Sequence, residues 1–175
     1  MSNILKEQKV AITMPKAISI GDPMYFDDYQ NDPKRLAELT YERNFRRPTW
    51  KAAFKFIESE ESFQLGEKTH SYKMNSLLIA CAPTEEQVDT YLNEEYYRGQ
   101  KPKTIQIGVD TAEYSLAIND MSILVKTGGD GCVGSATEYY RGQKLEGIFI
   151  ELSLSDLQSY EDWQQDIEYL FNIKF

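Results

Sequence analysis

Short runs of alternating apolar and polar residues, separated by Gly, Asn and Asp, fill the second half of the chain. Between residues 103 and 154 these runs read KTIQIGVD, EYSLAI, SILVK, CVGSATEYY and GIFIELSL. Alternation with a period of two residues is typical of a strand with one buried face, and the small polar residues between the runs favour turns. This half of the chain is therefore predicted to be a β-meander.

The first half of the chain is predicted to contribute four more strands. Their sequences are VAITM, AISIG, the run from Trp50 to Ile57, and SYKMNSLLIACA. The last run is apolar enough to be buried on both faces of a sheet. The stretch between the third and fourth runs, ESEESFQLGEKTH, is rich in charged residues and is predicted to be a polar connection.

Three helix starts are indicated by capping residues. Asp32 precedes a proline at the first helical position, and Thr84 and Ser155 each precede a glutamine by three residues, which is the spacing of a capping box. Apolar residues at three- and four-residue spacing after Ser155 predict an amphipathic C-terminal helix. Few helices beside many strands predict an α+β fold, with one domain over residues 1–175, mostly antiparallel β-sheet with peripheral helices.

The formal net charge of −9 bears on the partner. Duplex DNA binding takes its affinity from Lys and Arg on phosphates, so direct duplex binding is not expected. The same charge attracts a basic protein. Apolar runs of about 18 residues, which a membrane span needs, do not occur, and the first residues carry charges where a signal peptide needs apolar ones, so no membrane contact and a cytoplasmic location are expected.

The heptapeptide EYYRGQK occurs twice, at Glu95–Lys101 and at Glu138–Lys144. The flanking sequences share little beyond a following strand, which argues against a duplicated domain. The first copy continues from the predicted 84–93 helix, with Gly99 where a glycine would end that helix. The second copy lies in a predicted hairpin, with Arg141-Gly142 between its two strands.

Two interpretations of the heptapeptide are open. It is a sequence that ends one element and turns into a strand, with half-buried tyrosines, or its two copies form a contact surface for a protein partner. Tyr and Arg are enriched among the residues that dominate binding energy at interfaces. The residues of that surface would be Tyr96, Tyr97, Arg98, Tyr139, Tyr140 and Arg141.

Four carboxylates are the candidates for catalysis. They are Asp22 in ISIGDP, Asp110 in IQIGVD, Glu113, and Asp130 in KTGGDGCVG. Aspartate beside glycine is also the ordinary composition of a turn. If the strand ends adjoin, Asp22 and Asp110 would lie within about 8 Å and hold Mg²⁺ for phosphodiester hydrolysis.

Other chemistries find less support in the sequence. The single histidine, His70, lies in the polar connection without a Cys or second His nearby, so a zinc site is not expected and a Ser-His-Asp triad would depend on this one residue. Residues 128–134 are glycine-rich but lack the Gly-Lys-Ser/Thr of a phosphate-binding loop. Cys81 and Cys132 are predicted to be reduced, and Cys132 to be an inert packed thiol.

Three short segments carry a resemblance to a family. GDPMY at Gly21–Tyr25, VDTAEYSLAI at Val109–Ile118 and GGDG at Gly128–Gly131 resemble uncharacterised phage and bacterial proteins with a Gly-Asp-Pro-Cys-Tyr box, a Val-Asp-Ser-Gly segment and a late Gly-Asp-Gly turn. Met24 replaces the cysteine of the box, and Thr111-Ala112 replaces Ser-Gly. The resemblance implies a β-rich fold and a mobile-element origin, and it implies no activity.

Two classes of function follow from these observations. The first is a phage or prophage accessory protein, a counter-defence inhibitor of the anti-CRISPR kind, which binds a basic nucleic-acid-binding host enzyme and needs no cofactor. The alternative is a Mg²⁺-dependent phosphodiester hydrolase that uses Asp22, Asp110, Glu113 and Asp130. Size, acidity, abundant tyrosine and the phage resemblance favour the first.

Overall fold

The computed structural model describes residues 3–22, 41–45, 49–109, 113–127, 131–155 and 160–174. These residues form ten strands and two helices. The strands are β1 (Asn3–Ile12), β2 (Ala17–Gly21), β3 (Tyr41–Asn44), β4 (Lys51–Leu65), β5 (Lys68–Ala82), β6 (Lys101–Val109), β7 (Glu113–Ile118), β8 (Met121–Lys126), β9 (Gly131–Arg141) and β10 (Lys144–Leu154). The helices are α1 (Glu85–Leu92) and α2 (Tyr160–Phe171). The helix predicted after Asp32 lies outside the described residues.

The strands form two sheets. A six-stranded sheet has the order β1-β4-β5-β10-β9-β6, and a four-stranded sheet has the order β3-β2-β7-β8. All strand pairs of the described residues are antiparallel. The prediction of an α+β fold that is mostly antiparallel β-sheet is therefore confirmed, and the strands divide between two sheets.

The larger hydrophobic cluster joins the two sheets. Alternate residues of the central strands contribute to it, among them Phe54, Ile79 and Ile150 of the six-stranded sheet, together with Ile20 and Leu116 of the four-stranded sheet. Because side chains alternate between the faces of a strand, the residues between these positions point to the opposite side. We call the face of the six-stranded sheet toward the smaller sheet its inner face and the other its outer face.

Helix α2 also contributes to this cluster. Trp163, Ile167 and Leu170 are buried at three- and four-residue spacing, and the ring of Phe171 stacks on Phe54 with centroids 5.4 Å apart. The remainder of the capping box predicted to begin at Ser155 lies outside the described residues.

Cys81 lies within the same cluster. Burial raises the pKa of its thiol to about 12, so the thiol stays protonated at neutral pH. This agrees with the prediction of a reduced, packed cysteine. The side chain of Cys132 is outside the described part of the chain.

Helix α1 covers part of the outer face. Val88, Tyr91 and Leu92 pack there in a second cluster that includes Ala80 and Phe149. The predicted capping box begins the helix, with the Gln87 amide donating to Thr84 Oγ1 at 3.2 Å and the Thr84 amide donating to Gln87 Oε1 at 3.1 Å. Helix α1 has eight residues, and the outer-face side chains of Ile57 and Glu151 are only half-buried.

The β4–β5 hairpin extends beyond the six-stranded sheet. Its register is continuous as far as the Leu65–Lys68 pair, whereas β1 accompanies β4 to Glu60 and β10 accompanies β5 to Asn75. Residues 61–74, which we call the arm, therefore pair with each other and with no further strand of the described residues. At about 3.3 Å per residue the arm projects roughly 20 Å.

The arm corrects the prediction of a polar connection at residues 58–70. These residues continue both strands, and a two-residue turn at Gly66-Glu67 joins them, with Gly66 at φ +66°. His70 accordingly lies on strand β5 and not in a loop, although it is exposed as predicted. The physical signal was the apolar alternation within the charged stretch, since Phe63 and Leu65 lie two residues apart, as do His70, Tyr72 and Met74.

Candidate interaction surfaces

The two copies of the heptapeptide are neighbours in space. Strand β6 pairs with β9 so that Lys101 lies opposite Tyr140 and Pro102 opposite Tyr139. The Arg141 guanidinium also donates a hydrogen bond from Nη1 to the carbonyl oxygen of Arg98, at 3.2 Å. We call this region, residues 95–103 and 138–146, the heptapeptide end.

An aromatic stack is the centre of the heptapeptide end. The Tyr139 ring lies between Tyr91, with centroids 4.5 Å apart and rings nearly parallel, and Tyr96, with centroids 5.6 Å apart. Tyr97 meets Tyr91 edge-on at 6.1 Å. Tyr139 is 4% exposed and Tyr96 is 53% exposed, so the stack runs from the core to the surface. Burial, followed by the neighbouring Tyr91, Glu94 and Tyr96, raises the pKa of Tyr139 to about 12.

A polar network surrounds the stack. Gln100 donates from Nε2 to the Tyr91 hydroxyl at 2.8 Å and to Glu146 Oε1 at 3.2 Å, and its own Oε1 accepts from the Tyr97 amide at 2.9 Å. Arg141 donates from Nε to Glu146 Oε1 at 2.8 Å. These bonds give the buried amide of Gln100 its partners and fix the loop between α1 and β6 against the β9–β10 hairpin.

The first copy follows α1 as predicted, but the helix stop differs from the prediction. Helix α1 ends at Leu92 with Asn93 as its C-cap, and the left-handed residue that follows is Glu94, with φ 59°, where a glycine stop was expected at Gly99. Gly99 has another role, because at φ +89° it passes close to Arg141, and a Cβ there would lie 2.7 Å from Nη1. The second copy matches its prediction, since Arg141 pairs with Lys144 across the hairpin turn.

Two side chains of the second copy, Glu138 and Tyr140, point to the inner face of the six-stranded sheet. Glu138 is 2% exposed and accepts hydrogen bonds from the hydroxyls of Tyr41 and Tyr140, each at 3.1 Å. Arg43 forms an ion pair with the same carboxylate and donates to the Tyr140 hydroxyl at 3.2 Å. Burial, and then the Glu138 charge, raise the pKa of Tyr41. The network links β3 of the smaller sheet to β9 of the larger one.

The six residues predicted to bind a partner therefore divide into two groups. Tyr96, Arg98 and Arg141 are exposed. Tyr139 is buried, and Tyr97 and Tyr140 are half-buried and hydrogen-bonded within the fold. The packed tyrosines agree with the interpretation of the heptapeptide as a structural element, and Tyr96, Arg98 and Arg141 are the members of the predicted contact surface that the fold leaves exposed.

The four predicted carboxylates are only partly described. Asp22 is buried directly after β2, and Glu113 begins β7. The pairing of Gly21 with Ser115 brings these two residues to the same end of the four-stranded sheet. Asp110 and Asp130 lie outside the described residues. Within the described ranges, no three His, Cys, Asp or Glu side chains are grouped to hold a metal ion.

The arm presents a second candidate surface. Cross-strand partners share a face, so its outer side carries Phe63, Leu65, His70, Tyr72 and Met74, all exposed. The Phe63 ring stacks on His70 with centroids 5.3 Å apart and meets Tyr72 at 6.0 Å. The inner side of the arm is polar. Its residues are Ser62, Gln64, Thr69, Ser71 and Lys73.

A groove of about 320 Å³ continues the outer side of the arm toward α1. Ile57, Leu78 and Leu92 line it, and Glu94 and Glu151 lie on its wall. Burial, followed by the charge and hydrogen bond of Glu94, raises the pKa of Glu151. The groove lies between the end of α1 and the base of the arm, and polar residues, among them Ser59 and Ser76, separate its apolar lining from the exposed apolar side chains of the arm.

Comparisons with protein-family models, with curated proteins and with solved structures found no match for this chain. Neither described helix has the length and apolar character that crossing a membrane requires.

Proposed function

We propose that this protein binds a basic macromolecular partner through the arm and thereby inhibits it. The observation that carries the proposal is the outer side of the arm, where large apolar side chains are exposed on a hairpin that projects from the fold. Exposed apolar groups arranged in one patch are typical of interaction sites. Single exposed apolar residues scattered over a surface would carry no such meaning.

The stability of hairpins supports the proposal. A two-stranded hairpin without further strands is marginally stable in water. Phe63, Tyr72 and Met74 contribute little to the core, since they are exposed, and they would become buried when a partner covers the outer side. Binding then supplies the apolar burial that orders the arm, at about 25 cal/mol per Å² of apolar surface removed from water.

Charge indicates the kind of partner. The arm carries two carboxylates and two lysines and is neutral in sum, Glu58 and Glu60 lie at its base, and the chain as a whole carries −9. An apolar groove bordered by Lys and Arg matches this surface, and the opposite charges accelerate the encounter. Nucleic-acid-binding enzymes present Lys and Arg side chains to the phosphates of their substrate. An inhibitor that occupies the groove fits the counter-defence role that the phage resemblance suggests.

The test is capture of a host protein by arm variants. Phe63→Ala with Tyr72→Ala removes the rings from the outer side, and Ser62→Ala with Ser71→Ala changes the inner side of the same hairpin. We expect the first pair to abolish capture of a nucleic-acid-binding protein and the second to leave it intact. The captured protein should also release its nucleic acid when this protein is added. Equal capture by both variants would contradict the proposal.

The alternative function, Mg²⁺-dependent hydrolysis of a phosphodiester, rests on the position of Asp22 and Glu113 at one end of the smaller sheet. Its test is calorimetric titration with Mg²⁺ or Mn²⁺, combined with a nuclease assay of the Asp110→Asn variant. If the wild-type protein cleaves in the presence of a divalent cation, the variant does not, and no protein is captured, the hydrolase would be favoured over the inhibitor.

A further inference from the structure

The two outermost strands of the six-stranded sheet are protected against pairing with a further strand. Proteins protect such edges with prolines, charged residues and bulges, because the backbone groups there are otherwise open to pairing. In β6, Pro102 lies between two exposed lysines, Lys101 and Lys103. In β1, the register with β4 shifts between Ile4 and Lys6, which indicates a bulge. Neither strand is therefore suited to further pairing along its whole length.

The arm has an edge that lacks a proline and a bulge. Strand β10 pairs with β5 as far as the Leu154–Asn75 pair, and the Ser155 amide then bonds to the Lys126 carbonyl oxygen of β8 at 2.8 Å. Residues 68–74 of β5 thus have β4 on one side and no strand of the described residues on the other. We call this segment the free edge. Its register with β4 is unbroken, and alternate residues direct N–H and C=O groups to the open side.

The free edge is complementary to a second copy of itself. Its central residue is Ser71, so a two-fold axis at Ser71 places every residue of the segment opposite a residue of the other copy. His70 then lies opposite Tyr72 of the second copy, and Thr69 lies opposite Lys73. Aromatic pairs of this kind stabilise a sheet, and like charges directly opposite each other, which would destabilise it, do not occur in this register.

We propose that two copies of this protein associate through the free edge, with β5 antiparallel to β5, and join their arms into one four-stranded sheet. A two-stranded hairpin is marginally stable in water, whereas three or more strands with an apolar face are stable. The two-fold axis is perpendicular to this sheet, so the outer sides of both arms lie on the same face. This inference does not depend on the proposed function, because pairing uses the backbone edge and leaves the outer sides open to a partner.

The distribution of charge permits this dimer, although each copy carries −9. The arm itself is neutral in sum, with two carboxylates and two lysines. Antiparallel arms keep the bodies of the two copies roughly 20 Å apart, which exceeds the Debye length of about 8 Å at physiological ionic strength. Because salt screens the remaining repulsion, it should strengthen the dimer. Salt should weaken the encounter with a basic partner, so the two associations respond to it in opposite ways.

Sedimentation equilibrium measures the association. Pairing of one short edge buries less surface than a standard interface, so we expect a weak dimer with a dissociation constant on the order of 10 µM. Raising the salt concentration from about 20 mM to about 500 mM should lower this constant about threefold.

Variants of Thr69 test the register. Lys73 is 61% exposed, and its contact with Glu58 of its own chain is long, at 3.8 Å, so it is accessible to a second copy. Thr69→Glu places a carboxylate opposite Lys73 twice in the symmetric dimer and should tighten association about fivefold, and Thr69→Lys should weaken it by a similar factor. Net charge alone predicts the reverse order, since the glutamate variant is the more negative protein.

Gln64 provides the matched control, because it lies opposite Thr69 on β4, on the same side of the arm and one strand away from the free edge. Gln64→Glu should weaken association slightly and Gln64→Lys should strengthen it slightly, as net charge requires. Melting temperatures check that each variant is folded.

Three results would overturn the proposal. The first is a wild-type protein that remains monomeric up to about 500 µM, well above the expected dissociation constant. The second is a pair of Thr69 variants that follow the net-charge order. The third is protection of the 68–74 amides from hydrogen exchange only in the presence of a captured protein, which would assign the free edge to a strand of that partner. A dimer with the predicted response to Thr69 variants, but without any captured protein, would contradict the proposed function and support this inference.

Discussion

The heptapeptide end and the arm lie at opposite ends of the six-stranded sheet, and they place aromatic rings in opposite ways. Tyr91 and Tyr139 stack inside the fold at one end, with Gln100 satisfying the Tyr91 hydroxyl. At the other end Phe63 contacts His70 and Tyr72 on a hairpin exposed to solvent. Rings of the first kind contribute to stability, and rings of the second kind are available to a partner.

This contrast separates folding from binding. Replacing a stacked ring at the heptapeptide end removes buried contacts that the rest of the fold needs. Replacing an arm ring leaves the buried contacts of the fold intact and changes the surface that we propose for the partner. The predictions below test whether the two ends differ in this way.

The largest expected effect is on the aromatic stack. Tyr91→Ala should lower the free energy of unfolding by about 3–5 kcal/mol, because it removes a fully buried ring and leaves a cavity beside Tyr139. Phe63→Ala on the arm should change it by less than about 0.5 kcal/mol. Urea unfolding at pH 7 measures both. If the two variants lost equal stability, the distinction between the ends would fail.

The second effect concerns alkaline pH. Tyr139 has a pKa near 12 in the fold and about 10 when unfolded. Its neutral hydroxyl therefore contributes stability that is complete below pH 10 and is lost as pH rises toward 12. Tyr139→Phe cannot ionise, so its stability should fall less over this range, by roughly 1–2 kcal/mol. Thermal melts from pH 9 to 12 provide the measurement.

Tyr72→Phe is the control for the alkaline experiment. Tyr72 is an exposed tyrosine on the arm. Its replacement should leave the loss of stability between pH 10 and 12 unchanged. An equal change in the two variants would mean that burial in the stack does not determine the effect.

Much of the fold could be predicted from the sequence because its signals are local. Strands β2 and β7 were predicted with the bounds that the structure has, and the capping box at Thr84 fixed the start of α1. The arm was missed because the charged stretch at residues 58–70 was interpreted as a polar connection. In an exposed hairpin, polar residues are compatible with both faces of a strand, so composition is a poor guide there.

The candidate surfaces depend on distant pairings that a single sequence does not reveal. The two heptapeptides meet because β6 pairs with β9, and their copies differ because strand alternation turns Glu138 inward, whereas Glu95 is exposed. The partner of Glu138, Arg43, lies 95 residues earlier, and no local pattern indicates it. Residue types suggested contacts, but burial decided which tyrosines remain accessible.

The third effect compares the two hairpin turns. Gly66 and Gly142 have nearly the same φ, +66° and +63°, and a Cβ would meet no atom within 4 Å at either position. Alanine at Gly142 should therefore cost about 1 kcal/mol of global stability through backbone strain alone. The same change at Gly66 should leave global unfolding nearly unchanged, because the arm opens locally.

Hydrogen exchange distinguishes the two turn variants. Gly66→Ala should accelerate exchange of the arm amides while the amides of β9 and β10 remain protected. Gly142→Ala should accelerate exchange in β9 and β10 together with the rest of the core. Equal losses of global stability in the two variants would mean that the arm unfolds cooperatively with the sheet.

The smallest effect concerns Glu151, which lies on the outer face between the two ends. Its folded pKa is raised by burial and by Glu94, so the protonated form contributes stability that is complete below the unfolded pKa and is lost as pH rises through the folded pKa. Glu151→Gln keeps a neutral side chain at all pH values and should stabilise the fold at pH 7 by about a few tenths of a kcal/mol. The gain should vanish near pH 4, where the wild-type carboxyl is also neutral.

Melting at both pH values tests this, with the exposed Glu161→Gln as a control expected to show little change. Destabilisation of the Glu151 variant at pH 7 would instead indicate that its carboxylate has a favourable interaction, for which Lys55, which lines the same groove and forms an ion pair with Glu7, is the candidate by charge.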